Sequence, residues 1–475
     1  MLARLSLALT DWAERWIPDA FIFALIATFL VAAAALFATP ASLPAIVDAW
    51  GRGFWDLIPF TLQMALIIMT GHVLASSAPM QRVIRGIASW PRTPKSAVAL
   101  VTFFALVTSW FNWGFSLIFS AMLALEISRR VIGVDYRALA AASFLGLGSI
   151  WAQGLSGSAA LQMATPGALQ PQIRDIVAHG GSIPGGIISF RHTIFLWQSL
   201  VSVPIEIAVV TAVMWFATPP AGYGLAAPNA PPHGSGSRAA FAPEEDPVVP
   251  AAGEPPHVVP GQWLEQSTIL TYLVVGLGSW YLWRYFAAAA EPLNALNLNI
   301  LNLAFLLIGF LLHRTPARFM TAFKQATPAV WGILLQFPFY AGIAGIITTT
   351  GLNDRLAAGF VRVSSHGTFP PLVAVYSAAL GVFVPSGGSK WVIIAPYVMA
   401  AAHTLKVHLG WCVSAYDLGE ALANLVQPFF MLPILGVFGL SARDVMGYTI
   451  VVFLALAPVV IALVWLLGLT LPYPL

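Results

Sequence analysis

Apolar runs about as long as a bilayer crossing recur along nearly the whole 475 residues of this chain, and few charges interrupt them. A helix needs about 20 mainly apolar residues to cross the hydrocarbon core of a membrane. Here 59% of residues are hydrophobic and 9% charged, whereas a soluble domain carries about 25% charged residues to wet its surface. Most of this surface must therefore face lipid. The expected class is an all-α polytopic membrane protein with about 11–13 membrane segments. Two pairs of runs, 96–111/114–128 and 369–384/390–405, are short and separated by a few Gly, Pro, Ser or Asn residues, the mark of broken or re-entrant helices. The net charge of +3 gives no reason to expect nucleic acid as a partner. Cys412 is the single cysteine and the nine His are scattered, so no disulfide, metal cluster or cofactor is expected beyond a coupling Na⁺ or H⁺.

One segment differs from the rest. Residues 218–263 are rich in Pro, Gly and Ala without periodicity and read as a flexible linker. It leaves two hydrophobic halves, 1–217 and 264–475, whose landmarks recur in order. Leu62-Gln63, Gly71, Ser76-Ser77 and the Asn112-Trp113-Gly114 break match Leu335-Gln336, Gly342, Thr348-Thr349 and the Pro385-Ser386-Gly387 break. Ser143, Gly148 and Gln153 likewise match Ser414, Gly419 and Asn424, at offsets that stay near 271–276. Basic residues concentrate in three loops: Arg82, Arg85, Arg92 and Lys95; Arg129, Arg130 and Arg137; Arg314, Arg318 and Lys324. The positive-inside rule places all three in the cytoplasm, together with the N-terminus, whose residues 1–16 read as an interfacial helix. Loop 39–53 then lies outside and its partner 313–326 inside, so the halves are expected to be inverted repeats. Arg355 and Arg362 fall outside and count against this orientation.

A helix broken inside a membrane exposes backbone groups, and such breaks persist only where protein buries them or a wet cavity meets them. The N–H groups and positive dipole end of a half-helix then favour an anion. Three breaks are candidates for holding a carboxylate: Asn112, Gly114 and Ser116; Gly154, Ser156, Gly157 and Ser158; and Ser386, Gly387, Gly388, Ser389 and Lys390. Each also suits a turn or close helix packing, and Lys390 suits snorkelling to an interface. Asp417, Glu420 and Asn424 lie at i, i+3 and i+7 inside an apolar run, which puts them on one helix face. Intramembrane acids mark a coupling-ion or proton site by default, or else a buried ion pair. His72 and Glu206 are isolated and weaker candidates.

At these residues a family likeness emerges. The runs GFWDLIPFTLQMALIIMTGHVLASSAP (53–79), NWGFSLIFSAM (112–122), GLSGSAALQMATPG (154–167), LLQFPFYAGI (334–343) and VPSGGSKWVI (384–393) resemble the short-chain fatty acid transporter family, as does the tract from Gly419-Glu420 to Gln427-Pro428-Phe429. The resemblance covers nearly everything outside the linker, with one local departure: Ser389-Lys390 stands where a His would be expected. It implies a bacterial inner-membrane protein for uptake of acetoacetate, butyrate and similar acids. It also implies inverted repeats, re-entrant hairpins and elevator-like movement of a transport domain.

The reading that follows is a secondary transporter, not an enzyme, moving short-chain monocarboxylates by alternating access with proton or ion coupling, as a symporter. Its partners are the small carboxylate and the bilayer, and a homo-oligomer stays open. Two alternatives remain at this point: an intramembrane enzyme using Asp417 and Glu420, and a passive anion channel.

Overall fold

The computed structural model describes residues 20–181, 183–220, 260–289, 292–383, 387–427 and 429–475. Residues 1–16, most of the 218–263 linker, and Ser386 lie outside the described residues. Among the described residues all regular structure is helical. The first half runs α1 (Ala20–Ala38), α2 (Leu43–Gly53), α3 (Ile58–Ser76), α4 (Ala78–Ile87), α5 (Pro94–Phe111), α6 (Trp113–Ser128), α7 (Tyr136–Ser149), α8 (Ser158–Ala164) and α9 (Trp197–Ala217). After α10 (Thr268–Ala287) the same order returns: α11 (Leu298–His313), α12 (Pro316–Ala326), α13 (Trp331–Thr349), α14 (Leu352–Val363), α15 (Phe369–Phe383), α16 (Gly387–Leu405), α17 (Leu409–Ala423), α18 (Leu432–Phe438) and α19 (Ala442–Gly468).

The boundaries follow from local chemistry. Thr93 and Ser96 form a capping box ahead of α5, with Pro94 at its first position, and Ser441 with Asp444 does the same for α19. Ser42 caps α2 as Thr315 caps α12, each followed by a proline in the first turn. Among the described residues six stretches are long and apolar enough to cross a membrane, and four further apolar helices span 10–17 residues. The shorter ones include arms of the hairpins read from the sequence, α6 and α15. The 138–160 run, expected as one segment, is α7, a 3₁₀ turn at Trp151–Gln153 and then α8; the 411–438 run is likewise α17, a turn and α18. Gly154 and Gly157 follow the first interruption and Asn424 caps the end of α17, although hydropathy continues through both.

Packing is reciprocal between the halves. Helix α3 lies against α11 and α12, while α13 lies against α1 and α2. Helix α5 packs on α7 as α15 packs on α17, and α9 meets its counterpart α19. The α5–α7 and α15–α17 contacts share one device. A side chain at Gly146 would run into the Ala105 carbonyl, and one at Gly419 into the Ala374 carbonyl, so hydrogen at these positions lets backbones touch. Both large apolar cores draw on residues from each half. The two halves are therefore interleaved in one body, and α17 runs through its buried centre.

The N-terminus of α17 depends on a histidine. His408 Nδ1 accepts the Trp411 N–H at 3.0 Å, which requires an unprotonated nitrogen. Burial, and then the facing His192, pushes its pKa from 6.5 down to about 4. The unfolded chain thus binds this proton first as pH falls. The contribution is complete above pH 6.5 and is lost progressively toward the folded-state value of about 4, a decline on the order of 3 kcal/mol. His408→Asn keeps an acceptor without the proton and should flatten that part of the profile, read as thermal midpoints in detergent across this pH window.

Candidate functional site

Around α17 the broken segments converge. The first break is closed on itself: Asn112 Oδ1 accepts the Phe115 N–H at 2.8 Å, and its Nδ2 donates to the Ile67 carbonyl of α3 at 3.3 Å. Gly114 lies against the backbone of Ile68, and Ser116 Oγ donates to the Ala105 carbonyl at 2.7 Å. This break joins the second, since the Trp113 N–H donates to Ser156 Oγ at 3.0 Å and the Leu155 N–H to the Trp110 carbonyl at 2.7 Å.

The second break leads into α8, with Gly157 at its cap and Ser156 and Ser158 buried. The first amides of α8 have an anion already. Ala159 and Ala160 donate to the Asp417 carboxylate at 3.4 and 3.2 Å. Asp417 thus caps α8 from another helix, which serves both orphan amides and the dipole. One turn further into α8, Gln162 Nε2 donates to the Gly388 carbonyl at 2.8 Å and ties this segment to the third break.

The third break carries the charge. Lys390, in the first turn of α16 and 1% exposed, forms an ion pair with Glu420 of α17, which is wholly buried. Its ammonium also donates to the Ser377 carbonyl of α15 at 2.7 Å and lies 5.5 Å from the centre of the Tyr416 ring. Tyr416 in turn donates to the Gly387 carbonyl at 2.5 Å. Ser389 lies on α16, its side chain outside the described residues, as is all of Ser386. Asn424 stands apart from the pair: Nδ2 donates to the Leu147 carbonyl at 3.0 Å, and Oδ1 accepts from Gln427 at 2.9 Å.

The structure therefore brings residues 154–158, 387–390 and 417–420 together, with 112–116 attached through Ser156. It adds Gln162, Ser377 and Tyr416, which pattern reading passed over. Gln162 sits in the GLSGSAALQMATPG run and Tyr416 next to Asp417, so both lay within segments already singled out. Glu206 of α9 proves to be fully buried, accepting from Gln153 Nε2 at 2.8 Å while Ser202 donates to Gln153 Oε1 at 2.6 Å. An apolar groove of about 570 Å³ between Phe103 of α5 and Pro204 and Trp215 of α9 contains none of these residues.

The comparisons with known proteins fit this arrangement. The model of the short chain fatty acid transporter family matches residues 1–467. The chain belongs to the short-chain fatty acid transporter family. A relative from Escherichia coli strain K12 is 38% identical over 96% of this chain and 97% of its own length. One from Haemophilus influenzae is 35% identical over 97% of this chain and 99% of its own. Both carry the provisional name of short-chain fatty acid transporter. Two solved structures share the fold at low identity. The YdaH transporter of Alcanivorax borkumensis has a TM-score of 0.58 at 13% identity, over 96% of this chain and 99% of that one. MtrF of Neisseria gonorrhoeae, described among antimetabolite efflux pumps, has 0.55 at 14%, over 98% of each.

This short-chain fatty acid transporter is accordingly a multi-pass membrane transport protein, and the intramembrane-enzyme alternative falls away. Its Lys390–Glu420 pair obeys the rule for buried charges: removing one partner strands the other. Lys390→Met should lower stability by about 3–5 kcal/mol, whereas Lys390→Met combined with Glu420→Leu should recover most of that loss. Thermal unfolding of the purified variants in one detergent checks both.

Proposed function

We propose that the protein carries short-chain monocarboxylates, acetoacetate and butyrate among them, across a bacterial inner membrane by alternating access coupled to a proton. The observation that carries this reading is Lys390, a buried ammonium in the first turn of α16 where the glycine backbone of 387–388 meets α8 and α17. An ammonium is a strong point donor for a carboxylate, and the apolar rings of Trp151 and Phe60 lie against Gly387 and Gly388 beside it. The reciprocal packing of α3 and α13 favours inverted repeats with two related arrangements of the hairpins about one central site. Coupling has an energetic reason. Moving an anion into a negative interior costs about 2.3 kcal/mol per 100 mV, and a co-transported proton removes that charge.

The N-terminal turn of α8 supports the reading in a different way from the one its sequence suggested. With Asp417 on Ala159 and Ala160, Ser156, Gly157 and Ser158 act by shaping the break, and Lys390 supplies the anion's partner. Counterflow of labelled acetate, butyrate and acetoacetate in proteoliposomes tests the proposal, with a pH gradient or Na⁺ applied separately. Saturable counterflow is expected and excludes a passive channel. Lys390→Gln should remove it while the protein still purifies as a single species; unchanged counterflow in that variant would remove Lys390 from the site.

A further inference from the structure

Resting on that reading, we propose that Lys390 serves two carboxylates in turn, Glu420 and the substrate, and that Glu420 takes up the coupled proton whenever the substrate displaces it. The ammonium has three N–H donors. One is held by the Ser377 carbonyl, one side faces the Tyr416 ring, and Glu420 occupies the remaining direction. An arriving carboxylate must therefore take the place of Glu420. Asp417 cannot exchange in the same way, because it is engaged by the Ala159 and Ala160 amides.

Glu420 is built to leave. Among the described residues the ion pair with Lys390, a charged hydrogen bond, is what holds the Glu420 carboxylate. Glycine flanks it on two sides. A side chain at Gly381 would come within 2.9 Å of Lys390 Nζ and 3.1 Å of Glu420 Oε2, and one at Gly387 within 3.1 Å of Glu420 Cγ. Hydrogen at these positions lets the buried pair pack directly against the two backbones.

Charge then fixes the stoichiometry. The elements packed on α17 bring titratable groups toward it: Tyr376 of α15, Lys390, Tyr397 and His403 of α16, Tyr136 and Arg137 of α7, and Arg443, Asp444 and Tyr448 of α19. On α17 itself are Cys412, Tyr416 and Asp417. The charged group acting on Glu420 is Lys390, and Asp417 one turn away accepts from the Ala159 and Ala160 amides. A second carboxylate on Lys390 would leave one buried negative charge without a partner, which an apolar interior does not tolerate. A proton on a Glu420 oxygen cancels it. In the step itself an O–H bond forms on Glu420, and a Lys390 N–H passes from the Glu420 oxygen to the substrate oxygen. Release reverses both, so one monocarboxylate and one proton cross together without net charge.

The test uses the full chain with butyrate as probe. In weakly buffered detergent solution, butyrate binding to the wild-type protein should take up one proton per butyrate, and binding without proton uptake would overturn the proposal. In proteoliposomes a one-unit pH gradient should drive about tenfold accumulation by the wild type. Glu420→Gln, which cannot gain the proton, should lose both the proton uptake and that accumulation, and wild-type accumulation by a folded, monodisperse Glu420→Gln would overturn the competition. Failure of the wider reading looks different: Lys390→Gln would retain saturable counterflow.

Discussion

An ammonium placed at the centre of a membrane protein needs an anion beside it and acceptors for its remaining protons, because desolvating a lone charge costs far more than folding can supply. Much of the arrangement here serves that need. Helix α16 presents Lys390, α17 supplies Glu420, and the Ser377 carbonyl of α15 takes another proton. Three helices from the second half are thereby held in register. A fourth element from the first half, α8, is fixed to the same helix by Asp417. The two acids on α17 have different tasks although one turn separates them: Asp417 joins the halves, and Glu420 answers the lysine.

Broken helices add a second constraint, since each break leaves peptide groups that nothing in lipid can satisfy. The breaks solve this by serving one another. Ser156 accepts from Trp113, Trp110 accepts from Leu155, and Gly388 accepts from Gln162. The irregular backbone of both halves is thus collected into one polar centre surrounded by apolar cores. Movement of any one break must exchange hydrogen bonds with the others, which links the conformation of the hairpins to the state of the central pair.

How much of this was legible in the sequence depends on the range of the interaction. Helix breaks at Asn112 and near Gly387 are local, and they read directly from residue type. The i, i+3, i+7 pattern correctly placed Asp417, Glu420 and Asn424 on one helix, yet their partners come from α8, α16 and the end of α7. Periodicity gives a face but not what lies opposite it. The same limit explains why Asn112 and Ser116 looked like ligand groups. Their polar atoms are engaged by Ile67, Phe115 and Ala105, and no local signal distinguishes an internal acceptor from an external one. Hydropathy also ran through the interruption at 150–157, because most of its residues are small or apolar.

Comparing the halves at equivalent positions shows where chemistry departs from architecture. Ser116 donates to the Ala105 carbonyl across one hairpin, and Lys390 donates to the Ser377 carbonyl across the other, so the same bond is made by a hydroxyl in one repeat and an ammonium in its counterpart. Gly146 and Gly419 keep the same close approach in both. The backbone relation has thus been preserved while a single side chain introduced charge on one side. Glu420 of α17 answers that charge from the facing helix. A ligand meeting this one-sided charge pair would bias the packing of the helices that hold it.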